Sequence, residues 1–114
     1  MILKKNRFVG PFALKKFLPR ANNLKTSKFA LKYQASNRSD WRAGVIVSKK
    51  VNKSAVVRNR IRRRFFEILR KNSDKFTSPH DLAFIVFTDE TATMDASKLE
   101  ALITDSLKNA KIMS

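Results

Sequence analysis

Apolar and polar positions along the chain follow two different periods, and the places where one gives way to the other mark the elements. In "FALKYQA", residues 29–35, Phe29, Leu31 and Tyr33 alternate with Ala30, Lys32 and Gln34, the two-residue period of a half-buried strand. "AGVIVS", residues 43–48, is β-branched on both sides and reads as an inner strand. "DLAFIVF", Asp81 to Phe87, reads as a further buried strand. Elsewhere the period lengthens. Counted from Val57, Ile61, Phe65, Ile68 and Leu69 fall inside one arc of roughly 100° on a helical wheel. Ser54, or alternatively Asn52, is placed to cap that helix, which runs to about Lys71. Leu99, Leu102, Ile103 and Leu107 outline a last amphipathic helix, with Ser97 and Glu100 at capping-box spacing. Near the start, Gly10-Pro11 opens a short helix, "PFALKKFL", that Pro19 stops. Leu14, Phe17 and Leu18 share its face. Residues 20–28 form a polar, basic connection with room for some extended structure, and 36–40 make a turn.

The order helix, strands, helix, strand, helix predicts an α+β protein with helices packed on a mixed sheet. At 114 residues with 43% apolar content, residues 1–114 make one domain able to bury a single core. No internal repeat divides it.

The central helix carries the anomaly. Arg58, Arg60, Arg62, Arg63 and Arg64 occupy five of seven consecutive positions. On the wheel, Asn59, Arg60, Arg62, Arg63, Arg64 and Arg70 lie opposite the apolar arc, with Glu67 as the sole acid among them. Arg58 falls inside the arc and must project past the edge of the sheet or stand where the helix has not fully begun. Phe66 lies between Arg62 and Arg63 on the wheel and reads as the margin of the core, with base stacking as the alternative. A merely solvated face mixes signs, because like charges at i and i+4 cost about 0.2–0.5 kcal/mol where opposite ones help. Arg58/Arg62 and Arg60/Arg64 take the unfavourable choice. A planar guanidinium fork holds a phosphate through two hydrogen bonds. With "SKKVNKS" upstream, residues 48–71 hold ten basic groups and one acid. If about six of them neutralise phosphates, affinity falls about a thousandfold between 50 and 200 mM salt.

Charge elsewhere sharpens the picture. From Met1 to Lys71 there are 21 basic and 2 acidic residues; from Asn72 to Ser114, 4 and 7. The total of +16 calls for a polyanionic partner, nucleic acid or an anionic membrane. The longest apolar run, Leu82 to Phe87, is six residues, against about 20 for a span, so nucleic acid is favoured. "MILKKNRF" lacks the apolar stretch of a secretory signal, and a cytoplasmic location is expected. No cysteine is present, which excludes disulfides and thiolate metal sites. Gly10 and Gly44 are the only glycines, which excludes a phosphate-binding glycine loop. A self-sufficient nuclease needs clustered carboxylates or a histidine base. The basic two-thirds offers only Asp40 and Glu67, and His80 stands alone in an expected surface loop.

The run "AVVRNRIRRRFFEILR", with "RAGVIVSKKV" before it, "DLAFIVF" after it and "KKNRF" and "FALKY" upstream, resembles the protein subunit of bacterial ribonuclease P, from Lys4 to about Leu107. The resemblance implies an α/β sandwich in which about four strands and three helices combine, and in which the arginine-rich helix makes a left-handed βαβ crossover, against the usual hand. It implies a partner, the catalytic RNA subunit, which supplies the active site and holds most of the Mg²⁺, so that no catalytic residue and no metal ligand is expected in this chain. It also implies a second partner, precursor tRNA, whose 5′ leader lies in a cleft between the first helix and the sheet and is removed by the enzyme. Protein oligomerisation is not implied.

By position, Arg58, Asn59, Arg60, Arg62 and Arg63 match the family's RNA-contacting motif, and Lys49, Lys50 and Lys53 match basic positions beside the cleft. Arg70 extends the same cationic face. Phe17 and Tyr33 are candidate leader contacts. Some positions depart from the family pattern. Phe66 stands where a basic residue is common; Thr88, Asp89 and Glu90 replace paired basic residues; Leu14 and Leu18 take the places of two aromatics; and Tyr33 is one residue out of phase. A ribosomal or other structural RNA-binding protein shares the charge and the element order, and only the detail of the motif separates the two.

Overall fold

A computed structural model describes residues Leu18–Met113. The expected first helix, its Leu14 and Phe17, and the helix side of the cleft lie outside the described residues.

Four strands make one mixed sheet: β1 (Asn22–Lys25), β2 (Phe29–Ala35), β3 (Arg42–Ile46) and β4 (His80–Val86), in the order β1-β2-β4-β3. β2 pairs antiparallel with β1 and with β4, whereas β3 runs parallel to β4. The parallel pair is joined by the arginine helix, Ala55–Asn72, which is the crossover the resemblance implied. A second helix, Ala96–Asn109, follows the turn Asp89–Ala92.

Phe29 and Leu31 are buried as the alternation predicts, but Ala30 on the other side of β2 is buried too, so the first half of that strand is covered on both faces. Phe29 and Leu31 of β2, Leu82, Phe84 and Val86 of β4, and Ala43 and Val45 of β3 are buried in one core. Onto it the arginine helix lays Ile61, Phe65 and Leu69, and the last helix lays Leu99, Ile103 and Leu107. Three rings lock the layers: Phe65 stands 5.6 Å from Phe29 and 5.3 Å from Phe84, with Phe29 and Phe84 also 5.3 Å apart. Such tilted contacts add about 0.5–1.5 kcal/mol each beyond area burial. They fix the rotation of the arginine helix, and so fix which of its residues face outward.

Three expectations need correction. Residues 43–48 are not an inner strand: β3 lies at the edge of the sheet and β4 occupies the middle. Gly44 and Ile46 are half-buried while Ala43, Val45 and Val47 are buried, so only one face is fully packed. The capping box is absent. The last helix begins at Ala96, with Asp95 as its cap residue, and Ser97 Oγ donates to Asp95 Oδ2 at 3.0 Å. Glu100 is drawn instead to Asn72 and Lys71 of the arginine helix. His80 belongs to β4, half-buried, with Nδ1 3.0 Å from the Ser78 carbonyl. The connection 20–28 does hold a strand, β1, and Ser54 is the cap, its Oγ accepting from Val57 N.

Candidate nucleic-acid interface

The cationic surface begins in the loop between β3 and the arginine helix. Val51 N donates to Ser48 O at 3.0 Å, closing a turn that leaves Lys49 and Lys50 exposed at its tip. Asn52 Oδ1 accepts from Ser54 N at 2.8 Å. Its amide nitrogen donates to Asp89 Oδ2 at 3.1 Å, tying the loop to the turn after β4. Arg58 resolves its awkward place on the wheel by folding back: Nη1 donates to the carbonyls of Asn52 at 3.0 Å and Lys53 at 2.9 Å. The loop that presents Lys49, Lys50 and Lys53 is thus held in place by the first turn of the helix.

The remaining arginines divide into two kinds. Arg62 Nη1 donates to Asn59 Oδ1 at 2.6 Å, and Nη2 reaches Val47 O at 3.5 Å. Arg64 donates to Thr91 O at 2.9 Å and Met94 O at 2.6 Å, clamping the helix to the turn before the last helix. Arg70 pairs with Glu67 at 3.0 Å and holds that carboxyl below its ordinary value. Arg60 and Arg63 are different. Both are exposed, and among the described residues neither guanidinium has a carboxylate or carbonyl partner. Lys49, Lys50 and Lys53 share that condition. The clamp through Arg64 was invisible in the sequence, because its acceptors lie 27 and 30 residues away.

Phe66 packs half-buried against the core and is no open stacking platform. Tyr33 also packs on the core, on the same side of β2 as Phe29 and Leu31. The opposite face of the sheet is lined in register by Asn23 beside Lys32 and Lys25 beside Ala30, so the cations there come from Lys25 and Lys32. Arg42 and Asp81, paired across β3 and β4, form a bidentate bridge at 3.0 and 2.9 Å, whose hydrogen bond holds the guanidinium above its ordinary pKa. Among the described residues no three His, Asp or Glu side chains gather as a metal site, and no helix is long and apolar enough to cross a membrane.

A mixed sheet carrying one helix whose outer wall and preceding loop bear unneutralised cations defines a class: a small α+β protein shaped to lie along a polyanion. The chain belongs to the ribonuclease P family, whose model, described as Ribonuclease P, matches residues 3–111. A curated relative, the ribonuclease P protein component of Pelotomaculum thermopropionicum, is 32% identical over 111 residues, covering 97% of this chain and 93% of its own. That of Clostridioides difficile is 44% identical over 61 residues, about half of each chain at 52% and 53%. Among solved structures, the RNase P protein of Staphylococcus aureus superposes with a TM-score of 0.82 at 20% identity, over 96% of this chain and 98% of its own. That of Thermotoga maritima gives 0.75 at 20%, over 87% and 90%. At that identity the two structures show the shared fold.

Proposed function

We infer that this chain docks on the catalytic RNA of ribonuclease P through Arg60, Arg63 and the lysines of the 49–53 loop, and that it strengthens the enzyme's hold on the 5′ leader of precursor tRNA. The protein component of this ribonucleoprotein enzyme leaves catalysis to the RNA. Its own contribution is binding and positioning, which convert a loose encounter into an oriented one. The observation that carries the assignment of residues is the set of five exposed cations with no partner among the described residues, three on the 49–53 loop and two on a helix whose rotation the Phe29, Phe65 and Phe84 rings fix. Guanidinium forks suit phosphate pairs along folded RNA, and the lysines act as point charges beside them. Asn59, held by Arg62, offers its amide nitrogen to a 2′-hydroxyl or a base edge. For the leader, Lys25 and Lys32 on the far face of the sheet supply the cations, and the chemistry of Mg²⁺ belongs to the RNA. The test is reconstitution with a candidate catalytic RNA, followed by affinity measurements for precursor and mature tRNA. Tighter binding of the precursor is expected, and equal binding of the two rejects the leader role.

A further inference from the structure

A groove runs between the outer flank of the arginine helix and the start of the last helix, with a cavity volume of about 490 Å³. Its two ends differ chemically. At one end stand Arg60 and Arg63, which have no carboxylate or carbonyl partner among the described residues. At the other, Glu67 is met by Arg70, and Glu100 by Lys71 at 3.1 Å and by the buried amide of Asn72 at 3.1 Å. Between them the floor is apolar, made by half-buried Ile68 and exposed Ala96. The walls are rigid: the Arg64 clamp on Thr91 and Met94 fixes the entry to the last helix, and the Asn72–Glu100 bond fixes the two helices one turn further along.

Resting on the proposed docking of this helix against RNA, we propose that the groove receives one unpaired nucleotide of the catalytic RNA, with its phosphate on Arg60 and Arg63 and its base over Ile68 and Ala96. Size, charge and polarity agree on that occupant. A volume of a few hundred Å³ suits one small-molecule-sized group, whereas a paired base lies inside a helix and cannot enter without unstacking at a cost of a few kcal/mol. The acids of the far end are already engaged, so Arg60 and Arg63 at the near end, unpaired among the described residues, set the sign of the ligand. An apolar floor beside guanidinium groups gives the face of a base a place to lie, and sequence-tolerant base contacts of this kind contribute about 1–3 kcal/mol.

The test uses the reconstituted holoenzyme. Ala96→Leu places an uncharged branched side chain in the groove from an exposed position at the start of a helix, so the fold is retained, as an unchanged melting temperature will show. Affinity for the catalytic RNA is expected to fall about tenfold, with the slope against salt unchanged. Unaltered affinity overturns the groove. Arg60→Gln with Arg63→Gln separates the two ideas: if it weakens binding while Ala96→Leu does not, RNA docking stands and the groove falls, and if neither acts, both fall. Because the chain has no cysteine, Ala96→Cys carrying an aryl azide gives a single crosslinker. Crosslinking to one or two unpaired nucleotides of the catalytic RNA supports the proposal. Crosslinks to duplex segments or to the tRNA leader, or none where the same probe at Lys49→Cys succeeds, overturn it.

Discussion

Replacing Arg60 and Arg63 together by glutamine should change how RNA binding responds to salt and leave stability alone, whereas Arg64→Gln should do the reverse. Residues 48–71 hold ten basic groups, of which Arg58, Arg62, Arg64, Arg70 and Lys71 are engaged within the protein. Lys49, Lys50, Lys53, Arg60 and Arg63 remain, one fewer than the six estimated from charge alone. With roughly 0.7–0.9 counterions released per phosphate contact, five contacts give a slope of log affinity against log salt near −4, a loss of a few hundredfold between 50 and 200 mM. Removing two of the five should make the slope shallower by about 1.4–1.8. Arg64 instead donates two bonds to carbonyls in a half-buried setting, and its loss should cost about 2 kcal/mol after discounting for solvent, lowering Tm by about 8 °C. Filter binding or fluorescence titration against the catalytic RNA from 50 to 400 mM potassium chloride, run beside thermal unfolding, measures both quantities. The reasoning fails if Arg64→Gln flattens the salt dependence as much as the double variant does while its Tm stays put.

Two other outcomes follow from the same contacts. Arg58→Lys keeps the charge but gives up the fork over the Asn52 and Lys53 carbonyls, so amide exchange across residues 52–54 should quicken and stability fall by about 1 kcal/mol, with the salt slope unmoved. Glu100 is held below its ordinary pKa, first by the Asn72 amide and then by Lys71. Its contribution is therefore present above the unfolded glutamate value, about 4.3, and disappears as pH falls through the lower folded value. Glu100→Gln should lower Tm at pH 7, and the gap to the parent chain should close in acid. A gap that persists below that range would mean that the carboxylate charge has no part in joining the two helices.

What was legible in the chain was whatever depends on near neighbours. The arginine helix could be placed because its apolar period, its Ser54 cap and its cationic back are all local, and the bounds shifted by no more than a residue or two, to Ala55–Asn72. β2, β3 and β4 were found for the same reason, while β1, in a polar stretch with no apolar period, was read only as a connection with room for extended structure. The strand order was not legible, since "AGVIVS" has the same β-branched content whether β3 sits inside the sheet or at its edge, and only pairing with distant segments decides. The capping box failed to a competitor 28 residues away, when Glu100 gained more from the buried Asn72 amide than from its own helix end. Arg58 is the instructive case, because its acceptors are only five and six residues back. The contradiction on the wheel was visible, but the loop geometry that resolves it was not.

The acids explain which cations were left bare. Glu90 takes Lys28, Asp81 takes Arg42, Glu67 takes Arg70 and Glu100 takes Lys71, while Asp89 takes the neutral amide of Asn52. None reaches Lys49, Lys50, Lys53, Arg60 or Arg63. Apart from the part-buried Arg42–Asp81 bridge, these pairs lie at the surface and add at most about 1 kcal/mol each, so stability alone is a weak reason for their arrangement. Their electrostatic effect is larger, because each pairing removes a cation from the field that a polyanion feels at a distance. A chain of +16 with its charge evenly bare would attract RNA in any orientation. Within residues 48–71, pairing takes out Arg70 and Lys71 and leaves Lys49, Lys50, Lys53, Arg60 and Arg63 together on one loop and one helix wall, the densest cationic face among the described residues. Asp89 and Glu90, which stand where the family commonly has basic residues, thus contribute to orientation by lowering the charge beside β4 while bracing the loop that carries the lysines.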